Sequence, residues 1–318
     1  MKIGIIGFGN IGKKHASALE LLPNFSLVAT CELHGTSGST IPNYENVDNL
    51  LDQHKDLDIV SVCSPNHLHS EHTIKALRNG FNVICEKPFG TDSQSCESMI
   101  AAAEEYNRKI FCVMQNRFSP ISAWLKDLVV NKSLGSIYMV NVACYWNRNQ
   151  DYYKSSQWRG KASKDGGTLY TQFSHYVDTL YWLFGPLKIQ NALFANYNHG
   201  NTIDFEDSCS FNFTAQDNII GSFMYTTATH GQNFESTLTI IGEKGTVKIS
   251  GQYMNKIEYS DIEIDTSGEN FQSNNIANLS KVYLNAKEAI ENGSSPMTTA
   301  KDGLNVVRII ENVYGYKK

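Results

Sequence analysis

Lys87 stands in Glu86-Lys87-Pro88, immediately after the short apolar run Asn82-Val83-Ile84-Cys85. A lysine at the carboxyl end of a parallel strand points into the crevice where open α/β sheets hold their ligands. A poorly solvated ammonium there stabilises the charge that grows on an alcohol oxygen as its carbon gives up hydride. Tight turns at such sites often use a cis X–Pro bond, which makes Lys87–Pro88 a candidate for one. His175 follows a glycine-led run, Gly166-Gly167-Thr168-Leu169-Tyr170-Thr171-Gln172-Phe173-Ser174, near the start of a predicted helix. Its imidazole titrates near neutral pH and suits a base that takes a hydroxyl proton. On that helix His175, Asp178, Thr179 and Trp182 share one face. A histidine in that position is also an ordinary core residue, so the reading needs the rest of the chain.

The context comes from the opening Gly7-Phe8-Gly9-Asn10-Ile11-Gly12, which follows an apolar strand pattern and leads into a helical one. Such glycines let the backbone, including Asn10 and Ile11, approach a pyrophosphate at a helix N-terminus. Glu32 lies 20 residues beyond Gly12 at the end of the next strand pattern, where a carboxylate binds the adenosine ribose hydroxyls. Leu33 follows it and no arginine stands beside it to receive a 2′-phosphate, so NAD is expected rather than NADP. Ser64-Pro65-Asn66 and His69 follow the third strand pattern and join Glu86, Lys87 and Gln115 as cofactor candidates. His67, His69 and His72 lack the convergent partner ligands that zinc needs, and read as helix caps or backbone partners, with no metal expected.

Tyr145, Trp146, Arg148, Tyr152, Tyr153, Trp158 and Arg159 form an aromatic- and arginine-rich stretch. Arginine forks grip anions and rings stack on apolar sugar faces, so a substrate site and a subunit contact are equally good readings. Asn116 and Arg117, at a domain junction, read either as ligand contacts or as helix caps.

These residues require particular elements to hold them. The first third alternates strands (Lys2–Gly7, Leu27–Glu32, Asp58–Cys63, Asn82–Cys85, Ile110–Met114) with helices (Ile11–Leu22, Ser70–Asn79, Ser93–Asn107), the pattern of a parallel sheet covered by helices. The turn-rich Leu33–Thr40 stretch predicts a trimmed surface loop. Beyond Arg117, a helix (Ala123–Val130), a long strand (Ile137–Trp146) and a helix (Ser174–Phe184) lead into six more strand-like runs. Gly242-Glu243-Lys244-Gly245 reads as the hairpin turn between two of them, and helices at Ser280–Glu291 and Asp302–Tyr314 follow. The expected fold class is α/β: a doubly wound parallel sheet over 1–117, then an α+β domain over 118–318 with a large, mostly antiparallel open sheet. The C-terminal helix is allowed to pack back on the first domain.

Composition agrees with two globular domains: 318 residues, 41% hydrophobic and 19% charged. A net charge of −5 argues against nucleic acid or an anionic membrane as partner. No signal-peptide pattern or spanning apolar stretch is evident, and the 7 cysteines form no Cys-x-x-Cys pair. A reducing cytoplasm is expected.

Together, Gly7-x-Gly9-x-x-Gly12, Glu86-Lys87-Pro88, Asn116-Arg117, Gly166–Asp178 and Gly242–Gly245 resemble the Gfo/Idh/MocA oxidoreductases, whose first domain is a Rossmann fold, over nearly the whole chain. The resemblance implies Lys87 and His175 as the catalytic pair. Many members place an aspartate four residues before the histidine; here that position is Thr171. Ile137–Trp146 with Arg148 and Tyr152-Tyr153, Trp158-Arg159-Gly160 and Gln172–Asp178 look like the nucleotide-sugar branch. That branch contains UDP-N-acetylglucosaminuronate 3-dehydrogenases of bacterial surface-polysaccharide (lipopolysaccharide O-antigen) synthesis. The likeness implies oxidation of a ring 3-hydroxyl by tightly held NAD, with Lys87, Asn116, Arg117, Tyr145, Arg148, Tyr152, Trp158, Arg159, Thr171, Gln172 and His175 around the substrate. It also implies a homodimer or homotetramer built on the C-terminal sheet. The alternatives are a dehydrogenase of a free polyol or sugar such as inositol, and a non-catalytic cofactor-binding sensor.

Overall fold

A computed structural model describes residues 1–33, 40–262 and 274–317. They form two compact units, Met1–Gln115 with Ile276–Val307, and Asn116–Asn275 with Arg308–Lys318. The division differs from the expected 1–117 and 118–318, because residues 276–307 cluster with the first unit rather than the second.

In the first unit, β1 (Lys2–Ile6), β2 (Ser26–Cys31), β3 (Asn43–Tyr44), β4 (Ile59–Val62), β5 (Asn82–Cys85) and β6 (Ile110–Cys112) form one sheet in the order β3-β2-β1-β4-β5-β6. Every pairing is parallel. The strands read as continuous Ile and Val runs because helices cover both faces of such a sheet, and Ile3, Ile5, Ile59, Val60, Val62, Val83 and Ile84 are all fully buried. Chain order reverses direction at β1, between β2 and β4, which makes the carboxyl ends of those strands the ligand crevice of this topology.

The covering helices are α1 (Asn10–Glu20), α2 (Val47–Gln53), α3 (His69–Arg78) and α4 (Ser93–Glu105). Asp92 caps α4 by accepting the Ser95 N–H at 2.7 Å. A later helix, identified below as α9, brings the buried Tyr283 to this unit. The seven-residue α2 stands where the sequence offered no helix, and residues 34–39 of the expected trimmed loop lie outside the described residues.

The second unit opens with α5 (Pro120–Val130) and β7 (Ile137–Tyr145), then two short helices, α6 (Gln150–Lys154) and α7 (Ala162–Asp165), and α8 (Ser174–Phe184). The strands β8 (Lys188–Ala195), β9 (Ser208–Thr214), β10 (Ile220–Thr226), β11 (Glu235–Gly242), β12 (Thr246–Ser250) and β13 (Lys256–Ser260) join β7 in the order β13-β12-β11-β7-β10-β9-β8. All pairings are antiparallel except β7 with β10. The expected hairpin closes with Gly242 N–H donating to Gly245 O at 2.9 Å.

One sheet face is apolar and buried through Val140, Val142, Phe211, Phe223, Leu238 and Ile240. Against it Trp146 meets Phe173 at 4.8 Å and Tyr176 meets Phe223 at 6.4 Å between ring centroids. The opposite face leaves Met139, Ile220, Met224 and Leu193 exposed. The chain closes with α9 (Asn275–Asn292) and α10 (Ala300–Tyr314), the latter shared between the two units. No helix among the described residues is long and apolar enough to cross a membrane.

Candidate active site

The three glycines of the opening loop do different work. Gly7 has φ +88°, and a Cβ there would lie 2.6 Å from the backbone of Cys63 and Ser64. A Cβ on Gly12 would lie 2.2 Å from Gly7 O. Both positions therefore exclude larger residues for packing reasons. Gly9 is different: a Cβ would meet no atom within 4 Å. Its lack of a side chain keeps open the space before α1, whose N-terminus has no side-chain cap. Exposed helical N–H groups beside an open glycine are the donor set that a pyrophosphate requires. Asn10 and Ile11 are exposed in that first turn. Glu32 sits at the end of β2, its Oε2 accepting the Phe8 N–H at 2.9 Å, so the carboxylate is fixed against the glycine loop. The residues present fit a dinucleotide.

The β4 and β5 ends are tied together by His69. Its Nδ1 lies 2.7 Å from Pro88 O and its Nε2 2.8 Å from Ser64 O. Burial lowers its pKa, against the two carbonyls and Glu86, which favour the cation. The ring of His69, expected as a cofactor contact, thus sits between the backbones of the loops that follow β4 and β5. His72 Nδ1 reaches Ser64 Oγ at 2.9 Å, and burial pulls its pKa down to about 4. Pro65 is half-buried and Asn66 buried on this loop.

The Lys87–Pro88 bond is cis. Half-buried Lys87 donates its backbone N–H to Glu86 Oε2 at 2.9 Å. The other carboxylate oxygen of Glu86 lies 3.1 Å from His15 Nε2. His15 Nδ1 is 2.7 Å from Tyr283 OH, which is 2.8 Å from Ser61 Oγ. One consistent set of protons runs Ser61 to Tyr283 to His15 to Glu86, each group donating to the next with a neutral ring. A buried network thus anchors the Lys87 backbone from α1, β4 and α9. The sequence reading missed His15 and Tyr283, since neither lies in a strand-end loop.

In the second unit, His175 is the second residue of α8 and 8% exposed. It follows a π-helical turn, Leu169–Phe173. The hydroxyl of Thr171 donates to the buried Asp165 carboxylate, whose Oδ2 accepts the Gly160 N–H at 2.8 Å. Position 171 thus carries a threonine hydrogen-bonded to a carboxylate of α7, and Asp165, just before the glycine run, makes a contact that no local pattern announces.

Arg148 Nε donates to Gln172 Oε1 at 2.8 Å, and Gln172 Nε2 donates to Tyr152 OH at 2.7 Å. The Arg148 guanidinium lies 4.9 Å from the Trp146 ring centroid, and Arg159 lies 4.6 Å from that of Tyr152 and 5.4 Å from that of Trp158. The structure thus joins Arg148, Tyr152, Trp158, Arg159 and Gln172 into one cluster, three residues before His175.

Arg117 and Tyr145, two of the expected substrate residues, have the following surroundings. Arg117 is 2% exposed and grips Asp178 of α8 with Nε and Nη2 at 3.0 and 2.6 Å. That bidentate fork holds the helix bearing His175, so Arg117 acts as an anchor. Tyr145 points to the open sheet face, its hydroxyl on Met224 Sδ at 3.4 Å, because alternation along β7 sends 139, 141 and 145 to the side away from α8. Gln115 is buried at the end of the first unit's opening segment. Asn116 is 1% exposed, and neither atom of its side-chain amide has a hydrogen-bond partner among the described residues. Leaving a buried amide unpaired costs about 1–3 kcal/mol.

The model of an oxidoreductase family with an NAD-binding Rossmann fold, GFO/IDH/MocA, matches residues 1–114, and that of the GFO/IDH/MocA C-terminal domain matches residues 123–248. The chain superposes with TM-score 0.92 and 28% identity on the WlbA dehydrogenase of Bordetella pertussis solved with NADH and UDP-GlcNAcA, covering 99% of this chain and 95% of that one. It is 31% identical over 206 residues to glucose-6-phosphate 3-dehydrogenase of Bacillus subtilis, covering 62% of this chain and 57% of that protein. It is 25% identical over 338 residues to scyllo-inositol 2-dehydrogenase (NADP(+)) IolW of the same organism, covering 98% and 92%. With both family models matched and a glycine loop, helix N-terminus and Glu32 that fit the dinucleotide, the chain belongs to the GFO/IDH/MocA family of NAD-dependent oxidoreductases.

Proposed function

We propose that the chain oxidises a ring hydroxyl of a nucleotide-linked sugar acid, the 3-hydroxyl of a UDP-N-acetylhexosaminuronate. The observation that carries this reading is the likeness over 99% of the chain to a dehydrogenase solved with NADH and UDP-GlcNAcA. The Arg148–Gln172–Tyr152–Arg159 cluster supports it, offering two guanidinium groups and aromatic faces to an anionic sugar.

Bound NAD supplies the acceptor for the hydride that leaves the carbinol carbon. His175 takes the hydroxyl proton, leaving the two electrons of the O–H bond to form the carbonyl. The Lys87 ammonium stabilises the oxyanion that develops between those events. Glu86, held by His15, fixes the backbone of Lys87, while Arg117 fixes α8. Asp165, through Thr171, places a carboxylate on the segment before His175. Asn116 offers an amide to the ligand.

The sheet face bearing exposed Met139, Ile220, Met224 and Leu193 is proposed as the subunit contact of a homodimer or homotetramer. A role in surface-polysaccharide synthesis in the cytoplasm follows from the same reading.

A second reading, oxidation of a free polyol, has the near full-length match to a scyllo-inositol dehydrogenase in its favour. NADH formation from UDP-N-acetylglucosaminuronate, glucose 6-phosphate and inositol, compared at equal concentration, separates the two. Turnover of inositol with none of the UDP-sugar overturns the first reading.

A further inference from the structure

Resting on that reading, we infer that a basic hollow in the second unit is the seat of the substrate's diphosphate. The hollow is a shallow depression of about 400 Å³, open to solvent and lined by Lys154, Ser155, Ser156, Gln157, Lys161 and Lys164. No carboxylate lines it. Residues 154–164 carry Lys154, Arg159, Lys161 and Lys164 without one acidic residue, in a chain whose net charge is −5.

The cations are not there to neutralise neighbouring acids. Lys154 Nζ donates to Gln150 Oε1 at 3.1 Å, a neutral partner. Among the described residues neither Lys161 nor Lys164 forms an ion pair. The adjoining carboxylates are otherwise engaged: Asp204 accepts the Ala162 N–H, and Asp165 accepts the Gly160 N–H and the Thr171 hydroxyl. Asp151, on α6, is exposed and does not line the hollow. Arg159 Nε is buried and has no hydrogen-bond partner among the described residues. Like charges gathered in this way repel, and an anion relieves that repulsion.

The hollow is connected to the proposed reaction residues within one unit. Arg159 Nη1 donates to Ser155 Oγ on its rim at 3.3 Å. The same guanidinium stacks on Tyr152, whose hydroxyl receives Gln172 Nε2, and Gln172 lies three residues before His175. A sugar ring at His175 with an acidic arm crossing Tyr152 therefore delivers that arm to the lysines. Ammonium groups bind phosphate as point charges and hydroxyls add donors, so Lys161, Lys164, Lys154 and the two serines make a diphosphate-binding set. A free polyol has no group for this hollow, and a sugar monophosphate shares its chemistry. The diphosphate is preferred because three lysines line the hollow.

The test uses the NAD-loaded protein and UDP as calorimetric probe, with Lys161→Ala/Lys164→Ala beside a Lys161→Arg/Lys164→Arg control. The alanine pair should weaken UDP binding by roughly tenfold or more, the equivalent of one charge-assisted hydrogen bond, and the arginine pair should restore most of it. Binding should weaken as salt rises, with NAD affinity and melting temperature unchanged. The KM for the UDP-sugar should rise in step.

If the alanine pair binds UDP as the parent does, the assignment is wrong. If only the KM for glucose 6-phosphate responds, the occupant is a monophosphate and the diphosphate assignment is overturned. The reading beneath it fails separately: lysine-dependent UDP binding without NADH formation from the UDP-sugar keeps the hollow and refutes the proposed reaction.

Discussion

Arg117 and Asp178 give the sharpest quantitative expectation. Both are buried, at 2% and 0% exposure, and share two hydrogen bonds of 3.0 and 2.6 Å. The guanidinium also lies 5.5 Å from the Trp182 ring centroid. Replacing Arg117 with Met leaves the Asp178 carboxylate buried without its fork, a loss of about 3–5 kcal/mol. Asp178→Leu strands the guanidinium and costs a similar amount. Because an apolar pair of like volume replaces a buried ion pair with little net change, the double variant should return to within about 1–2 kcal/mol of the parent. The coupling is then about 3 kcal/mol or more, far outside what separate sites show.

Urea unfolding followed by tryptophan fluorescence measures all four corners of this cycle, and NADH formation by the double variant reads the site. An Arg117→Met loss below about 1 kcal/mol, or losses that simply add, would refute the view that this fork holds α8. A stable double variant that fails to bind substrate would return Arg117 to the ligand.

Gly9→Ala should leave stability within about 0.5 kcal/mol, since the new methyl meets nothing, yet weaken NAD binding by roughly tenfold. Gly12→Ala should destabilise the apo protein, because its Cβ falls 2.2 Å from Gly7 O; calorimetry and NAD titration distinguish the two. His72 is held near pKa 4 by burial against an ordinary 6.5, so the unfolded chain binds the extra proton between those values. Its contribution is complete above pH 6.5 and lost as pH falls toward 4, by about 2–3 kcal/mol, a slope that His72→Gln should flatten in pH-dependent urea titrations. His15→Phe should remove one hydrogen bond from Glu86 and one from Tyr283 beneath Lys87 and lower kcat more than it raises the KM for NAD; His15→Gln, which keeps a donor, should recover part of the rate.

The nucleotide half of the site was legible because its chemistry is carried by short local patterns. Gly7, Gly9, Gly12 and Glu32 announce themselves by spacing, and β1 to β6 by apolar runs. The substrate half was only partly legible. Tyr145 and Arg148 looked alike in a linear string, but strand alternation sends the tyrosine to the open face while the chain turns Arg148 toward Gln172. Arg117 read as a ligand group because its partner, Asp178, lies in a helix far along the chain, and no local rule pairs them. The two carbonyls that His69 meets belong to different loops, and no local rule pairs them with it. Asp165 is a similar case: its hydrogen bond to Thr171 comes from α7, a four-residue helix too short to show periodicity.

In the proposed reaction both Lys87 and His175 are required. Single-turnover NADH formation by NAD-loaded parent, Lys87→Met and His175→Ala proteins, each mixed with UDP-N-acetylglucosaminuronate, tests it most directly. The parent should show a burst and both variants rates lowered by roughly 10²–10⁴-fold, with NAD still bound. A Lys87→Met protein that reduces NAD at the parent rate would contradict it.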